Sequence, residues 1–238
     1  MKSVDEILNA LVSDSREGLT LPELLCEACE RDVPVTGVGL ALMTPDGHQG
    51  VVAATDGPAR VMEDAQFSLG EGPCLAASRE GRPVLEPDLA RTATARWPGF
   101  APAVLEAGIA AIFAFPLQVG AIRLGVLDLY RATPGSLDDD QLATALAYAG
   151  AAVVVLMHLQ SQMTPGQGLH PQLVGPMDNR AEVHQATGII TVQAAVGVTE
   201  AFLLLRASAY ANDRSVFETA RDVVARKLRF PPEDDHHE

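Results

Sequence analysis

Three cysteines are the residues of this chain most able to do covalent or redox chemistry, and their settings decide which chemistry is open to them. Cys26-Glu27-Ala28-Cys29 is a Cys-x-x-Cys pair inside a predicted helix, Leu21 to Arg31. Thiol–disulfide exchange needs that pair at a helix N-terminus after a strand, where the dipole lowers the thiol pKa. Mid-helix, with no second pair to complete a zinc tetrahedron, the two read as small buried residues one turn apart. Cys74 is different: it follows Gly70-Glu71-Gly72-Pro73 and opens a predicted helix, where backbone N–H groups would stabilise a thiolate. It is the candidate ligand or redox contact. The plainer reading is that the glycines set the loop and Cys74 fills a small pocket.

The remaining candidates do not assemble into a reaction. Gly37-x-Gly39 lacks the third glycine and the following helix of a dinucleotide loop. Asp46-Gly47 and Asp56-Gly57 are turn dipeptides rather than paired carboxylates. His184 has no second histidine four residues on, and the terminal Asp234-Asp235-His236-His237-Glu238 would catch a metal only adventitiously. No Ser-His-Asp, Cys-His or phosphate-loop set can be built, and no haem or metal ligands converge in sequence. The chain therefore reads as a non-enzyme with no catalytic residues, no metal and no cofactor.

The elements that must carry these residues fall into two groups. Residues 3–12 and Leu21–Arg31 are helical; Val35–Met43 and Gly50–Thr55 are strands about a Thr44–Gly47 turn. A helical turn or two spans Arg60–Gln66, a helix runs from Cys74 to Glu80, and Pro83-Val84-Leu85 is a short strand. Arg96–Phe100 leads into a helix ending near Gly108, an apolar hairpin covers Ala110–Gln118 and Ile122–Tyr130, and Leu137–Met163 is one long helix. Hairpins without βαβ crossovers predict an antiparallel sheet with helices on its faces. After a Pro/Gly-rich linker, three helices follow: Asp178 caps the first, which ends near Gly197, Thr199 caps the second, and Ser215 with Glu218 forms a capping box on the third, which runs until Pro231-Pro232. The class is thus α+β followed by an all-α unit. The boundaries are an N-terminal helix at 1–16, a first domain at 17–163, a linker at 164–177, a second domain at 178–230 and an acidic tail at 231–238.

Composition bounds the function. At 238 residues, 47% hydrophobic and 20% charged, the chain can bury sizeable cores. Its formal net charge of −14 excludes nucleic-acid binding by bulk electrostatics, so any such contact is a local patch. An odd cysteine count and no secretory signal at the start point to the cytoplasm. The most apolar run, Ala149–Met157, is too short to span a bilayer, which argues against a membrane partner. Leu142, Leu146, Ala149, Val153, Leu156 and Gln160 repeat at alternating spacings of four and three, the seam of a coiled coil, which predicts a homodimer.

Two stretches carry family resemblances. Phe67-Ser68-Leu69-Gly70-Glu71-Gly72-Pro73-Cys74, Arg82-Pro83-Val84, Phe115-Pro116-Leu117 and Leu124-Gly125-Val126-Leu127-Asp128-Leu129-Tyr130 resemble a GAF domain, a sensor and dimerisation fold with a central antiparallel sheet. Gln185-Ala186-Thr187-Gly188-Ile189-Ile190, Thr199-Glu200-Ala201, Leu205-Arg206-Ala207, Asp213-Arg214 and Ala220–Val224 resemble an ANTAR domain, the three-helix RNA-binding module of bacterial antitermination regulators. Thr187 stands where a lysine is common, and Ser215 where Lys or Pro often follows the arginine. The pair implies a GAF ligand of small-molecule type and stem-loops in nascent transcripts as RNA partners.

Arg206 and Tyr210 lie four apart and Arg214 just beyond, a cation–aromatic–cation edge; Arg180, His184, Thr187 and Thr191 form a polar stripe on the preceding helix. Alone, these residues read as solvated faces. The ANTAR resemblance makes Arg180, Thr187, Arg206, Tyr210 and Arg214 the candidate RNA contacts, because RNA loops are held by stacking on aromatic and guanidinium planes. Arg221 and Arg226 are discounted, having Glu218 and Asp222 within helical pairing distance. Gly188, inside a helix, predicts a close helix crossing. Two other readings stand beside this one: a DNA-binding regulator using the helices about Asp213 as a helix-turn-helix, and a GAF-dimerised protein-interaction module without nucleic acid.

Overall fold

The computed structural model describes residues 2–14, 16, 18–44, 47–55, 57–164, 168–174, 179–212 and 214–231. The expected cap Asp178, the turn residues Pro45 and Asp46, Asp56, Asp213, linker residues 165–167 and 175–177 and the acidic tail beyond Pro231 lie outside them, as do the side chains of Asn179 and Arg180. The described part of the linker forms a 3-10 turn, Pro171–Leu173, with Leu173 buried in the first unit. The chain divides into two compact units, residues 1–175 and 176–238.

The first unit runs α1 (Val4–Ser13), α2 (Leu21–Asp32), β1 (Gly37–Thr44), β2 (Gly47–Ala54), α3 (Gly57–Leu69), α4 (Pro73–Glu80), β3 (Val84–Glu86), α5 (Leu89–Arg96), α6 (Phe100–Glu106), β4 (Ala111–Val119), β5 (Ile122–Arg131) and α7 (Asp139–Ser161). Local chemistry sets many of the helix starts. Ser3 with Glu6, Thr20 with Glu23 and Asp138 with Gln141 make reciprocal capping boxes on α1, α2 and α7, satisfying N–H groups that have no partner inside the helix. The five strands lie in the order β2-β1-β5-β4-β3, every pairing antiparallel.

Strand alternation splits the interior into two cores. Val38, Leu40, Phe113, Phe115, Leu127 and Leu129 face α1, α2 and α7, while Ala41, Ile112, Val126 and Tyr130 face α3 to α6. Ile7 and Leu11 of α1 are buried in the first of these cores, so this helix packs into the unit rather than standing ahead of it. Cys26 and Cys29 are also buried there, and burial, the larger cause, pushes both thiols up.

The structure corrects several expectations. Helix α3 extends over Gly57–Leu69 rather than a turn or two, and α5, capped by the Asp88 side chain on the Arg91 N–H, stands where no element was expected. By length and composition α7 can cross a bilayer, with a mean hydropathy of 1.9 over its most apolar window, but half of that window is buried inside the unit. Ala149 and Leu156, two expected seam positions, are buried in the unit's own core. Leu146 of the expected seam is exposed, and with Val154 and Met157 it makes up the exposed apolar stripe of α7.

The second unit contains α8 (Asn179–Ala194), α9 (Val198–Ala211) and α10 (Val216–Val224). Its core is Val183, Ala186, Ile190, Ala201, Leu205, Ala209, Val216, Ala220 and Val223. Four alanines in that set let the helices approach closely. The N-cap of α9 is Gly197, not Thr199, and Ala195 takes the left-handed conformation (φ 56°) that ends α8. Helix α10 opens on the Ser215–Glu218 capping box but stops at Val224, well before the prolines. Arg226 turns left-handed there (φ 60°), and Lys227 and Leu228 both donate their N–H groups to the Asp222 carbonyl.

Candidate functional site

On the second unit, Arg206 and Tyr210 share one edge of α9, and Arg214 follows its end. Tyr210 is 72% exposed, an unusual position for a large aromatic residue. The Arg206 guanidinium lies 4.1 Å over the Phe202 ring, which fixes its plane. Arg214 is anchored by its own N–H to the Ala209 carbonyl at 3.0 Å. Its guanidinium is 2.8 Å from Asp222, and that contact, the largest of several, holds the Asp222 carboxyl below its usual range.

The polar stripe of α8 is only partly a surface. His184 is exposed, but Thr187 is 4% exposed and its hydroxyl donates to the Val183 carbonyl one turn back, at 2.7 Å. Thr187 therefore sits in the bundle core and does not join the candidate edge. Arg221 reaches across to Glu182 on α8 at 2.9 Å, while Asp222 is engaged by Arg214 and, at 3.7 Å, Lys227.

A basic groove that sequence reasoning missed lies along α8. Because the chain turns back at Arg226, Phe230 can donate its N–H to the Gln193 side chain at 2.9 Å. That tie sets Arg226 and Arg229 over an open groove of about 480 Å³, floored by Gln185, Gly188, Val192 and Gln193. Neither arginine has an ion-pair partner among the described residues. Gly188 makes no close helix crossing; a Cβ there would meet nothing within 4 Å, so the glycine keeps the groove open. Reading α10 through to Phe230 hid this, since a continuous helix would carry both arginines away from α8.

On the first unit the loop before Cys74 is built by polar side chains. Gly70 and Gly72 have φ of 70° and 129°, and Glu71 Oε1 accepts from both Gly99 N and Phe100 N at 2.7 Å, tying the loop to α6. Gln66, on α3, accepts the Cys74 N–H at 2.7 Å. Cys74 opens α4 as expected, but it is fully buried there. Burial first, then the charges of Asp128 and Glu63 and a hydrogen bond to Asp128, push its thiol well above the ordinary range, the opposite of a reactive thiolate. The Cys74 sulfur and the carboxylates of Glu63 and Asp128 lie within 4.8 Å of one another. Donors that do not converge in sequence thus do so in space. The available signal was Asp128, one acid in the apolar strand Leu124–Tyr130.

Comparison with known proteins matches both units. The GAF domain family matches residues 3–157 and the ANTAR domain family residues 172–224. No curated protein matches the chain. Among solved structures, the domain of a putative two-component sensor histidine kinase from Sinorhizobium meliloti is 19% identical, with a TM-score of 0.50, over 62% of this chain and 97% of its own. The GAF domain of a phosphoenolpyruvate-protein phosphotransferase from Coxiella burnetii is 12% identical, with a TM-score of 0.50, over 67% and 96%. At such identities these two show the fold of the first unit alone.

Proposed function

We propose a function on the premise of family: the chain belongs to the GAF domain family over residues 3–157 and carries an ANTAR domain over residues 172–224. Its parts are a sensor and a regulatory domain, the makeup of a signal-responsive antitermination regulator rather than of an enzyme. We infer further that it acts in the cytoplasm as a homodimer, and that its ANTAR bundle binds stem-loop RNA in nascent transcripts. A small molecule on the sensor unit would shift the equilibrium between binding-competent and incompetent states. The effector boundaries we assign are 178–230, behind a linker at 164–177.

The observation that carries the RNA reading is Tyr210, exposed on α9 between two arginines, a stacking platform with cations on either side. Titration of the full chain with a stem-loop RNA and with a duplex DNA of the same sequence tests it. The hairpin should bind more tightly at every salt concentration. Duplex DNA binding as well or better would favour the helix-turn-helix reading.

Dimerisation rests on α7, whose Leu146, Val154 and Met157 leave an apolar stripe uncovered while the opposite face fills the core. Leu146→Asp introduces a charge at a position already 47% exposed, so folding should survive. Light scattering should then report a monomer; a folded, fully dimeric variant would move the interface elsewhere.

A further inference from the structure

We propose that the sensor unit holds one divalent transition ion of borderline softness, of the zinc or ferrous-iron kind, between Glu63, Cys74 and Asp128. This site is independent of the RNA reading and would survive its failure.

Three elements deliver the donors: Glu63 comes from α3, Cys74 from the first turn of α4 and Asp128 from β5. All three side chains are 0% exposed, and their donor atoms lie within 4.8 Å of one another. Tetrahedral coordination at about 2.0–2.3 Å places donors about 3.5 Å apart, so side-chain shifts of about 1 Å would close the site. The backbone makes room for this cluster. Gly39 on β1 is the cross-strand partner of Asp128, and a Cβ at Gly39 would lie 2.5 Å from Glu63 Oε1. The space of a side chain in the sheet is therefore given to a carboxylate.

The donor set selects the ion. Calcium and magnesium take oxygen ligands and have no use for a thiolate. A thiolate with two carboxylates suits zinc or ferrous iron. Two carboxylates and a thiol buried together cannot all ionise without a counter-charge, and burial first, then the charges of Asp128 and Glu63, favour the Cys74 thiol with its proton. An ion would displace that proton to solvent and leave a thiolate ligand.

A separate feature points to something bound at this place. Gln66 lies one turn after Glu63 on α3, is 0% exposed, and reaches the cluster through its contact with the Cys74 N–H. Its Nε2 has no acceptor among the described residues. Buried amide donors are nearly always paired. Three protein ligands leave a zinc-type ion one open position, and an oxygen held there would answer that donor.

The test uses the full chain with His236→Ala and His237→Ala, which removes the tail as a competing site. Cobalt serves as the optical probe and zinc as the calorimetric one. One equivalent of each should bind, and cobalt should give a thiolate charge-transfer band. Cys74→Ser should abolish the band and weaken zinc at least 10-fold, and Asp128→Asn should weaken zinc similarly. Zinc should raise the Tm of the parent and of neither variant. Asp128→Asn removes a buried charge and conserves shape, so its circular dichroism in the absence of metal should match the parent and keep the test readable if Cys74→Ser does not fold. No binding at one equivalent, or a band and affinity unchanged in the two variants, would overturn the proposal; a retained band would assign the ion to Cys26 and Cys29.

Discussion

Gly125→Ala should cost the sensor unit about 3 kcal/mol and lower its Tm by roughly 6–12 °C, the scale of severe overpacking in a domain of this size. Gly125 lies in the middle of β5, paired with Leu42 on one side and Leu117 on the other. A Cβ at that position would meet the Ala41 carbonyl oxygen at 2.2 Å. The obstacle is backbone in the neighbouring strand, so no rotamer change relieves it. Either β1 and β5 separate, breaking ladder hydrogen bonds at the centre of the sheet, or the strand shifts locally. The β4–β5 register is already irregular nearby, at Leu117/Gln118, while the β1–β5 register is continuous through Gly125, so the clash falls on a regular stretch of ladder. Calorimetric unfolding of the full chain would measure the effect. A variant that melts within 1 °C of the parent would show that the strands can part at no cost.

What could be read from the sequence was what is local. Ser3, Thr20 and Ser215 each have a glutamate three residues on, and each makes the reciprocal cap. The apolar hairpin Ala111–Arg131 was legible because its strands are continuous apolar runs about a glycine turn. Helix α5, Leu89-Ala90-Arg91-Thr92-Ala93-Thr94-Ala95-Arg96, was not: it buries only Leu89 and Ala93 and shows little apolar periodicity. Two positions of the α7 seam, Ala149 and Leu156, turn inward for another reason. Nearly every face of that helix is apolar, so spacing alone could not say which face the sheet would take. The buried trio needed the fold itself. Glu63 and Cys74 are 11 residues apart, Asp128 lies 54 further on, and only the β1–β5 pairing with α3 above it brings them together. The left-handed turn at Arg226, which creates the basic groove, carries no glycine to announce it.

Tyr210→Ala should weaken stem-loop binding by roughly 1–3 kcal/mol, the value of one stacked base, while leaving the salt dependence nearly unchanged. The bundle holds seven basic and six acidic side chains between residues 178 and 230, in a chain of net charge −14. Binding cannot come from bulk attraction, and each phosphate contact should show as roughly 0.7 in the slope of log affinity against log salt on single strands. The arginines are not equivalent in this respect. Arg214 already engages Asp222 at 2.8 Å, so a phosphate would have to displace a carboxylate, and Arg214→Ala should flatten the slope by less than one contact. Arg229, over the α8 groove with no ion-pair partner among the described residues, should give up close to a full contact in Arg229→Ala. Asp222→Asn separates the two cases: releasing Arg214 and removing a negative charge should tighten binding and steepen the slope, and a second substitution at Arg214 should cancel that gain. Titration of one hairpin at several salt concentrations with these variants would distinguish stacking from charge. If Tyr210→Ala and Arg229→Ala both bind as the parent does, the RNA surface lies away from α9 and the α8 groove.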